Sequence, residues 1–158
     1  MPVVLDTDHL SILQWREQPA CDRLLARLAK LAPDDIATMI VSFHEQVQGW
    51  LAYLNRARKP EQIVRAYAKL EAIWRSFLKM NVLSFDTEAE ACFARLKHEC
   101  PRNQALDLRI ASVAIVTNST LLSRNLRDFR RVPVVGYSWS RRHSGTSLCT
   151  IVPQEVFL

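Results

Sequence analysis

The chain is poor in glycine, with three in 158 residues, and has no low-complexity tract and no internal repeat. That composition excludes a collagen-like or disordered protein. Its four cysteines, Cys21, Cys92, Cys100 and Cys149, form no Cys-x-x-Cys pair and no Cys/His cluster at zinc spacing. Free thiols in a reducing compartment are therefore expected. The most apolar internal run, Ile110 to Val116, is too short to cross a bilayer, and the N-terminus has no basic segment leading into an apolar one. A soluble, cytoplasmic protein with no membrane association is expected. What is present, 49% hydrophobic and 23% charged residues, suffices for one domain with a real core. The net charge of +5 favours an anionic partner without identifying one.

Val3-Val4-Leu5 reads as a short buried strand that ends on two acids, Asp6 and Asp8. At the end of a central strand in an open α/β sheet, an Asp points into the crevice where ligands bind. The same residues also suit a helix cap or turn. Cys21, Leu24, Leu25, Leu28 and Leu31 then recur at helical spacing between Pro19 and Pro33. Ile36 to Val41 reads as a second buried strand, and Ser42-Phe43-His44-Glu45 opens a helix running to about Arg58. Lys59-Pro60 breaks it. A second long helix, Pro60 to about Lys79, carries Ile63, Tyr67, Leu70, Trp74 and Phe77 on one stripe and completes a helical hairpin. Val82 to Phe85 is a third strand, followed by a helix through Cys92, Phe93 and Leu96 with Thr87 and Glu90 at capping-box spacing. Asn103 is placed to cap a helix from Leu106 to about Asn118. Thr120 to Ser123 is a fourth strand, Leu126 to Arg130 a short helical turn, and Val132 to Val135 a fifth strand in which Pro133 suits an edge. This alternation predicts an α/β fold with a parallel sheet. Residues 1–136 form the expected domain; 137–158 are an atypical tail, open between a flexible segment and a late strand over Leu148 to Val152.

These placements bring Asp6, Asp8, Glu45, Asp107 and Asp128, with Asn125, to one edge of the sheet. Two carboxylates about 4 Å apart repel by roughly 4 kcal/mol at an effective dielectric near 20, so such a cluster calls for cations or protons. Oxygen ligands select hard cations, Mg²⁺ or Mn²⁺, and one or two such ions would activate water and stabilise charge on a phosphodiester. Each acid has another reading. Glu45 stands at the third position of a Ser42 capping box, Asp107 complements a helix dipole, and Asp128 can pair with Arg124 or Arg131. Asp107 is the hardest to set aside, because Ile110, Ala111 and Ala114 share its face and an acid facing a core needs a partner. Asp86 reads as a cap. His9 and His44 adjoin the acids, but neighbours on a strand or helix point elsewhere.

Leu5-Asp6-Thr7-Asp8-His9-Leu10-Ser11, Ser42-Phe43-His44-Glu45, Leu106-Asp107-Leu108-Arg109-Ile110-Ala111 and Thr120-Leu121-Leu122-Ser123-Arg124-Asn125-Leu126-Arg127-Asp128-Phe129 resemble, in order and spacing, the four motifs of PIN-domain proteins, and most of all VapC-type toxins of toxin–antitoxin pairs. The resemblance covers about residues 1 to 135. It implies a five-stranded parallel sheet flanked by helices, a Mg²⁺-dependent endoribonuclease, a homodimer, and neutralisation by a small antitoxin. By motif, Asp6, Glu45 and Asp107 match the metal-binding acids, and Asn125 with Asp128 matches the fourth position; Thr7 and Asp8 stand beside the first in support. The chain departs from the pattern after Gly136, where an Arg- and Ser-containing tail replaces the usual final strand.

Arg124, Arg127, Arg130 and Arg131, with Arg141 and Arg142, form a basic strip suited to RNA phosphates, or else a solvated basic face. Trp50, Tyr53, Trp74 and Phe77 read as core and partner surface rather than a base-stacking platform. Two rival readings stay open. Asp6-Thr7-Asp8 after a strand is also similar to the nucleophile motif of haloacid-dehalogenase-like phosphatases, in which Asp6 would act covalently, although no later acid pair of the expected kind follows. The chain would alternatively be an inactive interaction module that keeps the fold.

Overall fold

The computed structural model describes residues 2–125, 129, 131–132, 135–138 and 149–153. In chain order the elements are β1 (Val3–Leu5), α1 (Thr7–Trp15), α2 (Ala20–Leu28), β2 (Ile36–Met39), α3 (Ile40–Arg56), α4 (Pro60–Phe77), β3 (Asn81–Leu83), α5 (Thr87–Glu99), α6 (Ala105–Val116), β4 (Thr120–Ser123), β5 (Val135–Ser138) and β6 (Cys149–Pro153). They build one six-stranded sheet in the order β3-β2-β1-β4-β6-β5. The first four strands are mutually parallel, with Val3 opposite both Ile36 and Thr120. The sheet is an α/β fold as the sequence predicts, with one correction: it is not five parallel strands. β6 runs antiparallel to β4, and β5 antiparallel to β6. The fifth strand starts at Val135, and the tail does return a strand, Cys149–Pro153.

β1 is buried on both faces, and its alternation distributes the core. Val4 joins Met39, Phe93, Leu96, Leu108, Val113 and Leu121 under α5 and α6. Leu5 joins Leu10, Ile12, Leu24, Leu28, Ile73 and Phe77 under α1, α2 and α4. Helix α6 buries Leu108, Ile110, Ala111, Ser112, Val113 and Ala114, so it is covered nearly all round and rigidly held. Cys21, Cys92 and Cys100 are buried free thiols. Among the described residues no helix is long and apolar enough to cross a membrane.

Several local expectations give way. α1, which the sequence reading passes over, starts directly at Thr7 with Asp6 as its cap. α3 starts at Ile40 with Met39 as N-cap, so Ser42 is a buried helical residue and forms no capping box with Glu45. For α5 the cap is Asp86, whose Oδ1 accepts the Ala89 amide at 2.9 Å; Thr87 is already helical. Gln104, not Asn103, is the N-cap of α6, without a side-chain capping bond. On α4 the buried face is Ala66, Ile73 and Phe77, while Ile63, Tyr67 and Trp74 are exposed. The hairpin itself stands, with α3 packed on α4. The helical turn expected over Leu126 to Arg130 and the residues Arg141 and Arg142 lie outside the described residues, apart from Phe129.

Candidate active site

The carboxyl end of β1 delivers Asp6 between β4 and the start of α1. Its Oδ1 accepts the Thr7 amide at 2.7 Å, and its Oδ2 accepts Ser123 Oγ at 2.5 Å. Only 6% of the residue is exposed. Burial pushes the carboxyl up from 3.8 to about 6; the bonds from Ser123 and Thr7 oppose the rise, and the charges of Glu45 and Asp8 add to it. Ser123 also accepts the Asn125 amide at 3.0 Å, so one hydroxyl at the end of β4 ties the acid to the following turn.

Glu45 sits in the second turn of α3, half-buried, and its Oε2 accepts the Thr7 hydroxyl. Asp107 occupies the first turn of α6, also half-buried, and its Oδ1 accepts Asn125 Nδ2 at 3.2 Å. Two bridging side chains, Thr7 and Asn125, thus fix the carboxylates of two different helices. The result is a polar cleft of about 330 Å³ lined by Asp6, Asp8, Glu45 and Asp107 together with Thr7 and Asn125. Arg124 and Gln104 complete the wall.

Seven predicted residues therefore converge: Asp6, Thr7, Asp8, Glu45, Asp107, Arg124 and Asn125. Arg131 is exposed and does not line the cleft; its carbonyl accepts the Cys100 thiol at 3.1 Å. Asp128, Arg127 and Arg130 lie outside the described residues. His9 is buried at 2% exposure and His44 is exposed; neither lines the cleft. Sequence reasoning missed Gln104 and Ser123. Gln104 carried no signal, being a lone polar residue before a helix. Ser123 carried none either, because a hydroxyl at a strand end is common and only its contact with Asp6 gives it a role.

Among the described residues, no three Asp, Glu, His or Cys side chains form a group that could hold a metal by themselves. The acids stand instead around the cleft walls. The donor chemistry nevertheless fits a hard divalent cation: every side chain facing the cleft except Arg124 offers oxygen, and burial together with the charges of Glu45 and Asp8 raises the Asp6 carboxyl.

The fold and the site together define the class of protein this is: an open α/β domain with carboxylates gathered beyond a central parallel strand. Within that class, residues 3–135 match the family model of the PIN domain, and the chain belongs to the PIN-domain family. Among solved structures it is similar to VapBC2 from Rickettsia felis bound to a promoter DNA fragment (TM-score 0.61, 23% identity, covering 84% of this chain and 94% of that one). It is also similar to VapBC-1 from nontypeable Haemophilus influenzae (TM-score 0.62, 22% identity, 84% and 92% covered). FitAcB from Neisseria gonorrhoeae gives a TM-score of 0.60 at 22% identity, covering 82% and 92%. Likenesses at this identity show the fold. No curated protein sequence matches the chain.

Proposed function

We propose that this chain is a VapC-type toxin: a metal-dependent endoribonuclease that cleaves RNA phosphodiesters in the cytoplasm, works as a homodimer and is neutralised by a small antitoxin. The observation that carries the reading is the convergence of Asp6, Asp8, Glu45 and Asp107 on one cleft from β1, α1, α3 and α6. Carboxylates facing one cleft from four directions make it strongly negative, which suits a site that meets cations.

Asp6, Glu45 and Asp107, with Asp128, would hold Mg²⁺ or Mn²⁺. When bound, such an ion supplies water activation and stabilises charge developing on the phosphoryl oxygens. The remaining work belongs to the chain's own groups. Ser123 and the Thr7 amide hold one oxygen each of Asp6, which keeps the carboxylate in a single orientation. The Thr7 hydroxyl orients Glu45, and Asn125 orients Asp107. Arg124, at the rim, offers a fixed positive charge to a phosphate otherwise repelled by the acids; Arg127, Arg130 and Arg131 are assigned to the backbone further along the RNA.

Solved structures similar to this chain include VapBC complexes, which supports a protein partner. So do Val64, Tyr67, Trp74 and Leu78, exposed at 54–68% along and just past α4.

The test is cleavage of total RNA by purified protein with Mg²⁺ or Mn²⁺ and with EDTA, beside Asp6→Asn. Metal-dependent fragments that the variant fails to produce are expected. Phosphate release from p-nitrophenyl phosphate without RNA cleavage would replace the reading with the phosphatase, and silence in both assays with a non-catalytic binding module.

A further inference from the structure

A second groove opens directly from the acid cleft. Thr7, Ser11 and Trp15 follow one another at four-residue spacing on α1, and Glu45, Gly49 and Tyr53 do the same on α3, so each triplet occupies one helix face. Together they line a groove of about 390 Å³ that begins at the hydrogen-bonded Thr7–Glu45 pair and also takes in Trp50 and Arg56. Eight residues of helix carry it about 12 Å away from the acids. Its floor is fixed by Gln46, whose Nε2 donates to Gln14 Oε1 at 2.7 Å and to Ser11 Oγ at 3.3 Å.

Three observations say what the groove takes. Trp50 and Tyr53 are half-buried and meet edge to face, ring centroids 5.3 Å apart, and the Lys69 ammonium lies 3.3 Å from the centre of the Trp15 ring. These rings are held in place while still lining open space. Charge is disposed along the path as Arg124, then the acids, then Arg56, so a polyanion crossing the cleft finds a cation at each end. Gly49 stands in the middle of α3, where glycine costs about 1 kcal/mol relative to alanine. A Cβ built on it would meet nothing within 4 Å among the described residues, so packing against them gives no reason for its absence. The missing side chain keeps the groove clear.

We propose that this groove is a single-stranded RNA subsite, in which an unpaired base flanking the cut bond stacks on one ring of the Trp50–Tyr53 pair, edge-on to the other, and its phosphate meets Arg56. The assignment rests on the nuclease reading of the adjoining cleft. It gives the enzyme a preference for unpaired RNA, because a paired base cannot leave its stack to enter the groove. It assigns Trp50 and Tyr53 the base-stacking role that the sequence reading ranked below core and partner surface. Stacking on aromatic rings tolerates any base, so the groove selects strand state more than sequence.

The test uses the full chain as Asp6→Asn, or unsubstituted in EDTA, so that the probe is not cut. Binding of a labelled oligoadenylate and of an abasic strand of equal length is followed by anisotropy and by tryptophan fluorescence. The oligoadenylate is expected to quench tryptophan emission and to bind roughly tenfold tighter than the abasic strand. Gly49→Leu, which fills the groove, and Tyr53→Ala should each remove most of that advantage. Arg56→Ala should lower the slope of log affinity against log salt by about 0.7. Gly49→Leu should melt no lower than the parent, which separates occlusion from unfolding. Equal affinity for the two strands, or unchanged oligoadenylate binding in both variants, would overturn the subsite and give the groove to another occupant. If the base advantage and its loss hold while the wild-type chain cuts no RNA, the subsite stands and the nuclease reading falls. Metal-dependent cleavage with the same affinity and cut sites in both variants would give the reverse.

Discussion

One side chain supports the site from behind. Ser123 donates to Asp6 and accepts from Asn125, so Ser123→Ala leaves a buried carboxyl with one partner fewer and loosens the turn after β4. Such supporting bonds are typically worth about 10- to 100-fold in activity or metal affinity. RNA cleavage by Ser123→Ala should fall by about that factor, with the Asp6 carboxyl moving further up, measurable by NMR titration of the carboxyl carbon. His9, outside the cleft, has its Nδ1 buried without a hydrogen-bond partner among the described residues, and its imidazole is pushed down from 6.5 to about 4, chiefly by burial. Asp8 opposes that shift, and Arg124 and Arg27 add to it. The two neighbours have opposite signs. Asp6, raised to about 6, contributes stability that is complete below 3.8 and lost as pH rises through 6. His9, lowered to about 4, contributes stability that is complete above 6.5 and lost as pH falls through 4. Across their shared window the slopes cancel. Metal-free protein should show little change in melting temperature from this pair between pH 4 and 6, whereas Asp6→Asn should lose stability toward pH 4 and His9→Gln should gain it. Parallel melting curves for all three would sink the assignment. The acids were legible in the sequence because a carboxylate at a strand end or helix start is chemically conspicuous. Ser123 was not, because a buried serine declares its role only through what it touches.

The elements were legible where one signal dominated. Apolar runs gave β1, β2 and β4, and Lys59-Pro60 split α3 from α4. α1 escaped because Asp6 is at once the last word of a strand and the first of a helix, leaving no turn to announce the change. Asp86, correctly read as a cap, should be separable from function: Asp86→Ala should cost about 1 kcal/mol of stability and leave RNA cleavage untouched. α4 misled because it has two apolar faces. Ala66, Ile73 and Phe77 enter the core, while Val64, Tyr67, Trp74 and Leu78 form a second stripe in solvent. Ile73→Ala should therefore cost about 2–5 kcal/mol in chemical denaturation, as expected for a fully buried aliphatic side chain.

At the scale of the molecule, that second stripe is where the proposed dimer or antitoxin contact should be sought. Tyr67→Glu with Trp74→Glu should change stability by no more than about 0.5 kcal/mol per site. It should nonetheless convert a dimer to monomer in analytical ultracentrifugation or abolish antitoxin binding; a double variant unchanged in both would place the contacts elsewhere. The parallel order of β1 to β4 followed from the alternation of strands and helices, since a helical crossover returns the chain in the same direction. The direction of β5 and β6 did not, because nothing in the residues around Gly136 specifies which edge a late strand joins or which way it runs. Sequence alone determined the family, the run of acids and the helical hairpin, all of which are local patterns of residue type at fixed spacing. Tertiary structure alone decided that Thr7 bridges to Glu45 and Asn125 to Asp107, that Ser123 supports Asp6, and that Trp15, Gly49 and Tyr53 face one groove beside the cleft. Those are meetings between segments dozens of residues apart, fixed by how α1, α3 and α6 pack on the sheet, and helical spacing places a side chain on a face without saying what that face will meet.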